Sequence, residues 1–465
     1  MTGPVKVAFV ALGCAKNLVD SERMLGQLLE AGAVITADEA DAEVIVINTC
    51  GFLEASREEA HQVIREAIRR KRRGRCRRIV VAGCLVQRDG TALLEAFPQI
   101  DALVGVHNRD DIARAVLAAP PPHRKKGPRS APDLYLGDYH PYVALDTARL
   151  RLTPRPYAYL RISEGCNQRC TFCTIPAIRG PMHGKPPEIV LAEARELIAD
   201  GAVELNLIGQ DTTSYGEDIG YEDGLAGLLR KLNGLAGVRW IRLMYAYPSV
   251  LTDRIIDAIA ECEHVVKYVD LPLQHINDRM LRAMHRRVTR RQTEALLTAL
   301  RTRIPGIAIR TTFITGFPGE TDAEFEELLA FVREVRFDAL GVFAYSREPD
   351  TPAGRMKDQV PEAVKRERAD ILMAAQQEIA FAKAAEQVGR TFEVLIESAP
   401  AAAENSGRLR RARHAGQAPE VDSVTFVEGA DCAPGEFVRV RCSGTRDYDL
   451  IARPVEVRLP VLARR

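Results

Sequence analysis

Twice along this chain, short runs of Val, Ile and Leu alternate with stretches of helical periodicity. That alternation restricts each segment to a parallel sheet whose faces are covered by helices. In the first segment, strands are expected at 5–10, 44–47, 79–81 and 102–104, and helices at 17–31, 53–71 and 87–96. Asp20 and Ser21 offer N-caps for the first helix, and Gly32 offers a stop. The second segment carries six candidate strands, at 157–162, 203–208, 240–244, 265–271, 307–314 and 339–343. Amphipathic helices at 187–199, 224–235, 251–261, 290–303 and 322–335 separate them. Such repeats curl into a parallel barrel or partial barrel, with chemistry at the carboxyl ends of the strands. A long helix at 361–388 closes the segment.

The proline-rich, basic stretch 119–129 has no apolar periodicity and reads as linker. From about residue 390, apolar and polar residues alternate between Gly407, Gly429, Gly435 and Gly444, the pattern of a small all-β barrel of four or five strands. The expected architecture is α/β. It comprises an N-terminal parallel α/β sandwich over 1–120, a linker over 121–150, a central partial β/α barrel over 151–385 and a small C-terminal β-barrel over 386–465. Lysine and arginine number 64 against 63 acidic residues, which argues against a protein that coats DNA. No apolar run approaches the roughly 18–20 residues of a membrane span. Residues 7–13 ahead of Cys14 imitate an export signal, but the run is short and suits a buried strand better. A cytoplasmic location with reduced cysteines is expected. The basic run 69–78 reads as a solvated helix end and loop, with phosphate contact as the alternative.

Ten cysteines are too few for a disulfide scaffold, so their placement matters more than their number. Cys14, Cys50 and Cys84 each follow an expected strand and each adjoins a glycine, Gly13, Gly51 and Gly83. Open parallel sheets bind ligands at that edge. Three thiols there suit zinc or an iron–sulfur cluster with one metal position open, the plainer alternative being buried cysteine. Cys76 would lie at the opposite edge, and Cys262, Cys432 and Cys442 have no such placement. A second set, Cys166-Asn-Gln-Arg-Cys170-Thr-Phe-Cys173, follows the first strand of the second segment in a loop opened by Glu164-Gly165. This spacing lets one loop wrap three sulfurs around a metal cluster. Zinc would need a fourth ligand, for which His183 is the candidate. A cubane on three protein ligands keeps one iron open for a small molecule, and Phe172 would pack over that site.

With an aromatic before its last cysteine at the top of a β/α barrel, this loop resembles that of the radical S-adenosylmethionine (SAM) superfamily. The three-cysteine N-terminal domain, the radical SAM core and a TRAM-like C-terminal barrel together resemble the methylthiotransferases across nearly the whole chain. Residues 12–22 (Leu-Gly-Cys-Ala-Lys-Asn-Leu-Val-Asp-Ser-Glu), 209–216 (Gly-Gln-Asp-Thr-Thr-Ser-Tyr-Gly), 417–422 (Gln-Ala-Pro-Glu-Val-Asp) and 447–450 (Asp-Tyr-Asp-Leu) are similar to the branch that modifies a ribosomal protein. The tRNA-modifying branch usually has Gln-Met-Asn in place of Ala15-Lys16-Asn17. Pro181-Met-His-Gly-Lys-Pro186 departs from a family stretch that commonly ends in Ser-Arg.

The resemblance implies two 4Fe–4S clusters, one on Cys166, Cys170 and Cys173 and the other on Cys14, Cys50 and Cys84. The first would cleave SAM to a 5′-deoxyadenosyl radical that takes hydrogen from an unactivated carbon, the second would supply sulfur, and a further SAM the methyl group. The implied substrate is the β-carbon of an aspartate in protein twelve of the small ribosomal subunit, free or within the subunit. The implied electron donor is a flavodoxin or ferredoxin, with neither membrane nor DNA as partner. A tRNA adenosine is the alternative substrate, and an iron–sulfur carrier or a zinc-binding RNA module the alternative roles. Phe172, Gln210 and Gly316, the last in Gly316-Phe-Pro-Gly-Glu320, are candidate SAM contacts. Asp211, Gln274, His275, Arg310, Thr311, Thr312, Tyr345 and Ser346 lie at or near strand ends, as ligand contacts or as hydrogen-bonded rim residues. No catalytic acid or base is assigned.

Overall fold

A computed structural model describes residues 4–118, 131–139, 145–398, 409–429 and 431–455. The expected linker 119–129 lies outside the described residues. Strands β1 (Lys6–Ala11), β2 (Val34–Thr36), β3 (Val44–Thr49), β4 (Arg78–Gly83), β5 (Ala102–Val104) and β6 (Asp133–Tyr135) form one parallel sheet in the order β2-β1-β3-β4-β5-β6. Helices α1 (Ala15–Glu30), α2 (Glu54–Arg73), α3 (Cys84–Asp89), α4 (Ala92–Ala96) and α5 (Ile112–Leu117) connect and cover it. Successive strand residues serve opposite faces. Ala8, Ile45, Ile47, Ile79 and Val81 pack with Ala60 and Ile64 of α2, whereas Val7, Val44, Val46 and Val80 pack with Met24 and Leu28 of α1 and Ile112 of α5. The strand order reverses between β1 and β3, which opens a crevice at their carboxyl ends.

Three details differ from the sequence expectation. Helix α1 begins at Ala15 with Cys14 as its N-cap residue. Asp20 and Ser21 lie inside it because tertiary partners claim them: Arg161 and Arg179 pair with Asp20, and Asn48 donates to Ser21 Oγ at 2.8 Å. The expected helix 87–96 is two short helices, broken at Gly90, whose φ of +55° leaves the right-handed helical region. The stretch assigned to the linker supplies β6, and Asp133 of that strand pairs with Arg78.

In the central segment, β7 (Tyr157–Arg161) leads to a two-residue ladder of β8 (Ser163–Glu164) with β9 (His183–Gly184), and then to β10 (Glu204–Ile208), β11 (Trp240–Leu243), β12 (Val265–Asp270), β13 (Ala308–Thr315) and β14 (Ala339–Ala344). The six longer strands are parallel in the order β14-β13-β12-β11-β10-β7, a half barrel with β14 and β7 as its edges. Helices α6 (Ile175–Arg179), α7 (Pro187–Ala199), α8 (Gly224–Asn233), α9 (Asp253–Glu261), α10 (Asp278–Ala283), α11 (Arg290–Arg303) and α12 (Asp322–Val335) intervene, and α13 (Glu362–Gln387) follows. Thr289 and Thr321 start α11 and α12 with capping boxes completed by Gln292 and Glu324. Leu160, Leu205, Leu207, Ile241 and Leu243 pack outward against Leu228, Ile256 and other helix residues.

Strands β15 (Thr391–Ser398), β16 (Leu409–His414), β17 (Thr425–Glu428), β18 (Phe437–Arg446) and β19 (Asp449–Pro454) close into a barrel around Val394, Ile396, Val427 and Val440. The segment 417–422 docks this barrel onto the central domain. Tyr157 and Tyr159 each donate to Glu420 at 3.0 Å, Tyr268 donates to Asp422 at 2.8 Å, and Arg413 pairs with Glu204.

Candidate active site

Cys14, Cys50 and Cys84 meet at the crevice of the first sheet. A methyl group on Gly13 would fall 2.8 Å from the Cys50 Cβ, and one on Gly51 would fall 2.8 Å from the Cys84 backbone. Glycine at these two positions therefore lets the three segments close on one another. Gly83, at φ +97°, presses against Asn48 and the Thr49 carbonyl, so its missing side chain sets the turn that delivers Cys84. Cys14 is exposed to solvent, Cys50 partly so, and Cys84 is buried. Burial opposes ionisation of all three thiols. At Cys14 the Lys16 and Arg179 cations and the amides of Asn17 and Lys16 outweigh it and lower the pKa, whereas Cys50 is raised and Cys84 is pushed up to about 11.

The second triad lies in the loop between β8 and α6. Gly165 takes φ +77°, and the Cys166 amide donates to the Gly180 carbonyl at 3.2 Å, which closes the loop at its base. Backbone amides are aimed at two sulfurs: Gln168 N lies 3.5 Å from Cys166 Sγ and Ile175 N 3.4 Å from Cys173 Sγ. Arg286 brings Nη1 to 3.8 Å from Cys170 Sγ and stacks on Tyr247. Thr171 pins the loop, donating from its hydroxyl to Ala283 O at 2.8 Å and accepting from Ala353 N at 2.9 Å. Burial pushes Cys166 up to about 11 and Cys173 to about 12.

Arg179 joins the two sites. It stands six residues past Cys173, yet its Nη2 donates to Cys84 Sγ at 3.2 Å and to Asp20 Oδ2 at 2.8 Å, while Nη1 donates to Glu164 at 2.7 Å. Arg109 and Arg161 complete this buried network with Asp20, Glu164 and Asp146. Among the described residues, no three His, Cys, Asp or Glu side chains close in on the spacing of a single metal ion. His183 turns its Nδ1 to the Tyr139 hydroxyl at 3.2 Å rather than to the cysteines. A wider iron–sulfur core fits better: two sets of three soft donors, amides aimed at sulfurs, and a guanidinium beside each set to offset thiolate charge.

Gln210 follows β10, and its Oε1 is buried without a partner among the described residues. Its neighbour Asp211 accepts from Gln168 Nε2 at 2.6 Å and Ser214 Oγ at 2.8 Å, tying the strand end to the cysteine loop. Phe172 packs with Met280, Met284, Phe317 and Tyr345 into an apolar wall. The Gly316 amide donates to Glu320 at 3.0 Å, and a methyl group there would strike Lys365, so this glycine shapes a turn behind that wall. Four other rim candidates use their side chains within the protein: His275 Nδ1 accepts from the Ile276 and Asn277 amides, Arg310 donates to Asp270, Thr311 to Leu271 O and Ser346 to Glu348. Gln274, Thr312 and Tyr345 are held through the backbone, the Gln274 and Tyr345 amides donating to the Thr312 and Thr315 carbonyls. Sequence reasoning missed Lys16, Arg179, Arg286 and Glu348. An isolated arginine between Ile178 and Gly180 was the one local signal, because a charge in an apolar stretch needs a partner.

Residues 160–332 match the Radical SAM superfamily, 6–105 the Uncharacterized protein family UPF0004 and 388–455 the TRAM domain. A ribosomal protein uS12 methylthiotransferase RimO from Anaeromyxobacter sp. (strain K) is 47% identical over 450 residues, covering 97% of this chain and 93% of that protein. The chain belongs to the RimO family. RimO proteins of Pelotomaculum thermopropionicum and Geobacter sulfurreducens are 44% and 43% identical, over 97% and 96% of this chain and 99% and 98% of theirs. The radical SAM methyltransferase TsrM from Kitasatospora setae, solved with cobalamin and a [4Fe-4S] cluster, shares the fold at a TM-score of 0.52. It is 18% identical and covers 76% of this chain and 74% of its own. This RimO-family chain is thus a radical SAM methylthiotransferase whose cofactors are 4Fe–4S iron–sulfur chemistry and SAM. The expected α/β architecture, with its radical SAM core and closed TRAM barrel, holds. Among the described residues, no helix is long and apolar enough to cross a membrane.

Proposed function

We propose that this chain transfers a methylthio group to the β-carbon of an aspartate in ribosomal protein uS12, protein twelve of the small subunit, in the cytoplasm. One observation supports the mechanism: Arg179, at the end of the helix that follows the Cys166–Cys173 loop, is hydrogen-bonded to Cys84 of the other cysteine set. Cys166, Cys170 and Cys173 would hold one 4Fe–4S cluster and Cys14, Cys50 and Cys84 a second. When bound, these clusters supply one-electron cleavage of SAM and a source of sulfur, with a flavodoxin or ferredoxin as electron donor.

The chain's own residues hold, orient and enclose. Phe172 presents the apolar wall against which the nucleoside packs, with the Gly316 turn behind it, and Gln210 Oε1 is an acceptor for a SAM donor group. The Gln168–Asp211 hydrogen bond fixes the cysteine loop relative to β10. Arg286 and Arg179 stabilise negative charge at the two sets of sulfurs. The TRAM barrel docks on the half barrel where Tyr157, Tyr159 and Tyr268 bind Glu420 and Asp422. The tRNA alternative has less support, because Arg69, Arg70, Lys71, Arg75 and Arg78 of the basic run are ion-paired within the domain.

Mass spectrometry of ribosomal proteins and digested tRNA from a deletion strain tests the substrate. Loss of one methylthio group from uS12, restored by the gene, is the expected result. Loss from a tRNA nucleoside with uS12 unchanged would overturn the assignment.

A further inference from the structure

Lys16 occupies the first turn of α1, two residues past Cys14, and is only 6% exposed. Its ammonium sits on the face of the Tyr245 ring, and among the described residues it meets no carboxylate or carbonyl at hydrogen-bonding distance. It lies near enough for its charge to be felt by Cys14 of one triad and Cys166 of the other, as well as by Asp270 and Arg179. Asp270 does not neutralise it by contact, since Arg310 donates to Asp270 Oδ1 at 2.7 Å and the Tyr245 amide to Oδ2 at 3.1 Å. Tyr245 itself adopts φ +58°, a region costly for a residue with a side chain, just past the carboxyl end of β11. The protein thus spends backbone strain to set an aromatic face beneath a buried cation that no carboxylate of the described residues contacts.

Burying an ammonium that no carboxylate contacts is unfavourable, and a carboxylate arriving with a ligand would offset that cost. We propose that Lys16 receives the side-chain carboxylate of the substrate aspartate and thereby selects aspartate and fixes its β-carbon between the two cysteine sites. This rests on the uS12 reading above. The chemistry favours it: the reacting carbon is bonded directly to the carboxylate, so holding that group by a point charge against a rigid ring leaves the carbon little freedom. An amide in its place would offer Lys16 a neutral acceptor only.

The test uses holoenzyme prepared without oxygen, with two synthetic peptides spanning the uS12 loop, one carrying the target aspartate and the other asparagine there. Fluorescence anisotropy gives each affinity, and iron per chain and SAM affinity are measured on every variant. Wild type should bind the aspartate peptide about tenfold more tightly or better, the effect of one charge-assisted hydrogen bond. In Lys16→Gln and Lys16→Met the preference should shrink to about twofold or less, and Lys16→Arg should retain most of it. A preference that survives in the Gln and Met variants overturns the inference. If those variants instead lose iron with the preference intact, Lys16 is a counter-ion of the clusters. If they lose SAM affinity with the preference intact, it serves SAM. If wild type modifies the aspartate peptide but the preference ignores residue 16, the uS12 reading stands and the Lys16 role falls. If wild type neither binds nor modifies either peptide, both fall.

Discussion

The two cysteine triads share a composition and reach it by opposite routes. Cys166, Cys170 and Cys173 are gathered by a single loop, closed by the Cys166–Gly180 hydrogen bond and pinned through Thr171. Cys14, Cys50 and Cys84 come from the ends of β1, β3 and β4, and their meeting depends on the register of the whole sheet. The first triad is a property of a segment and the second a property of a domain. Local amides reach two sulfurs in each triad, but Cys84 takes its donor from Arg179 of the neighbouring domain. Cys84 therefore keeps this donor only when the two domains are docked.

The largest effect that separates the triads is on iron. With a cubane on each, fully loaded protein should carry roughly eight irons per chain. Replacing Cys166, Cys170 and Cys173 together by alanine, or Cys14, Cys50 and Cys84 together, should each remove about half, measured as iron and sulfide on protein purified without oxygen. Wild-type protein with about four irons, all lost with the loop triad, would end the comparison by leaving one cluster site.

The same contrast explains what the sequence made legible. The loop triad was visible as a spacing, because its geometry is local. The distant triad was visible only through the β-α alternation, which puts successive strand ends at one edge of a parallel sheet. The β-α order of the half barrel was likewise legible, since Leu160, Leu205 and Ile241 show the burial that such strands require. Strands β16 and β19 carried no clear signal, because Arg411, Arg413 and Arg453 point to ion-pair partners in place of a plain alternation. Asp20 reads locally as a helix cap and is a buried ion-pair partner of arginines far away in sequence. Lys16 stood in the segment that separates the two branches, but its role, like that of Glu348, is set by what lies opposite it, and a single sequence does not encode that locally.

Glycine replacements probe the two routes at smaller cost. A methyl group on Gly165 would strike the Pro181 carbonyl, and one on Gly83 would strike Asn48 and the Thr49 carbonyl, both at positive φ. Each Gly→Ala change should cost about 2 kcal/mol or more. Gly165→Ala should loosen the loop triad with little change in the denaturation midpoint of the N-terminal sheet. Gly83→Ala acts at the end of β4, paired with Thr49 of β3, and should lower that midpoint along with the iron of the distant triad. Electron paramagnetic resonance of singly loaded variants, alongside urea denaturation, distinguishes the two, and equal global destabilisation by both would erase the distinction between segment and domain.

The smallest expected effect concerns a latch that only the distant triad needs. Glu348, in the loop after β14, accepts from Arg57 Nη1 at 2.6 Å, Arg88 Nη2 at 2.8 Å, the Glu54 amide at 2.9 Å and Ser346 Oγ at 2.9 Å. Arg88 also donates to Gly51 O at 2.9 Å, so the central domain holds the residue next to Cys50. Glu348→Gln keeps the shape and removes the charge, and hydrogen exchange over 50–57 should rise by about tenfold, as for the loss of one charge-assisted bond, while the loop triad stays protected. Burial resists ionisation of Glu348, but the Arg88 and Arg57 hydrogen bonds outweigh it and hold its pKa below the ordinary carboxylate value. A carboxylate depressed on folding stabilises above its unfolded pKa of about 4.5 and loses that contribution as the pH falls toward the folded value. In iron-free protein, where acid has no cluster to destroy, protection of 50–57 should decline as pH drops through that window in wild type and stay flat in Glu348→Gln; a decline of equal size in both would assign the acid sensitivity to other carboxylates and leave the Cys50 loop held by the sheet alone.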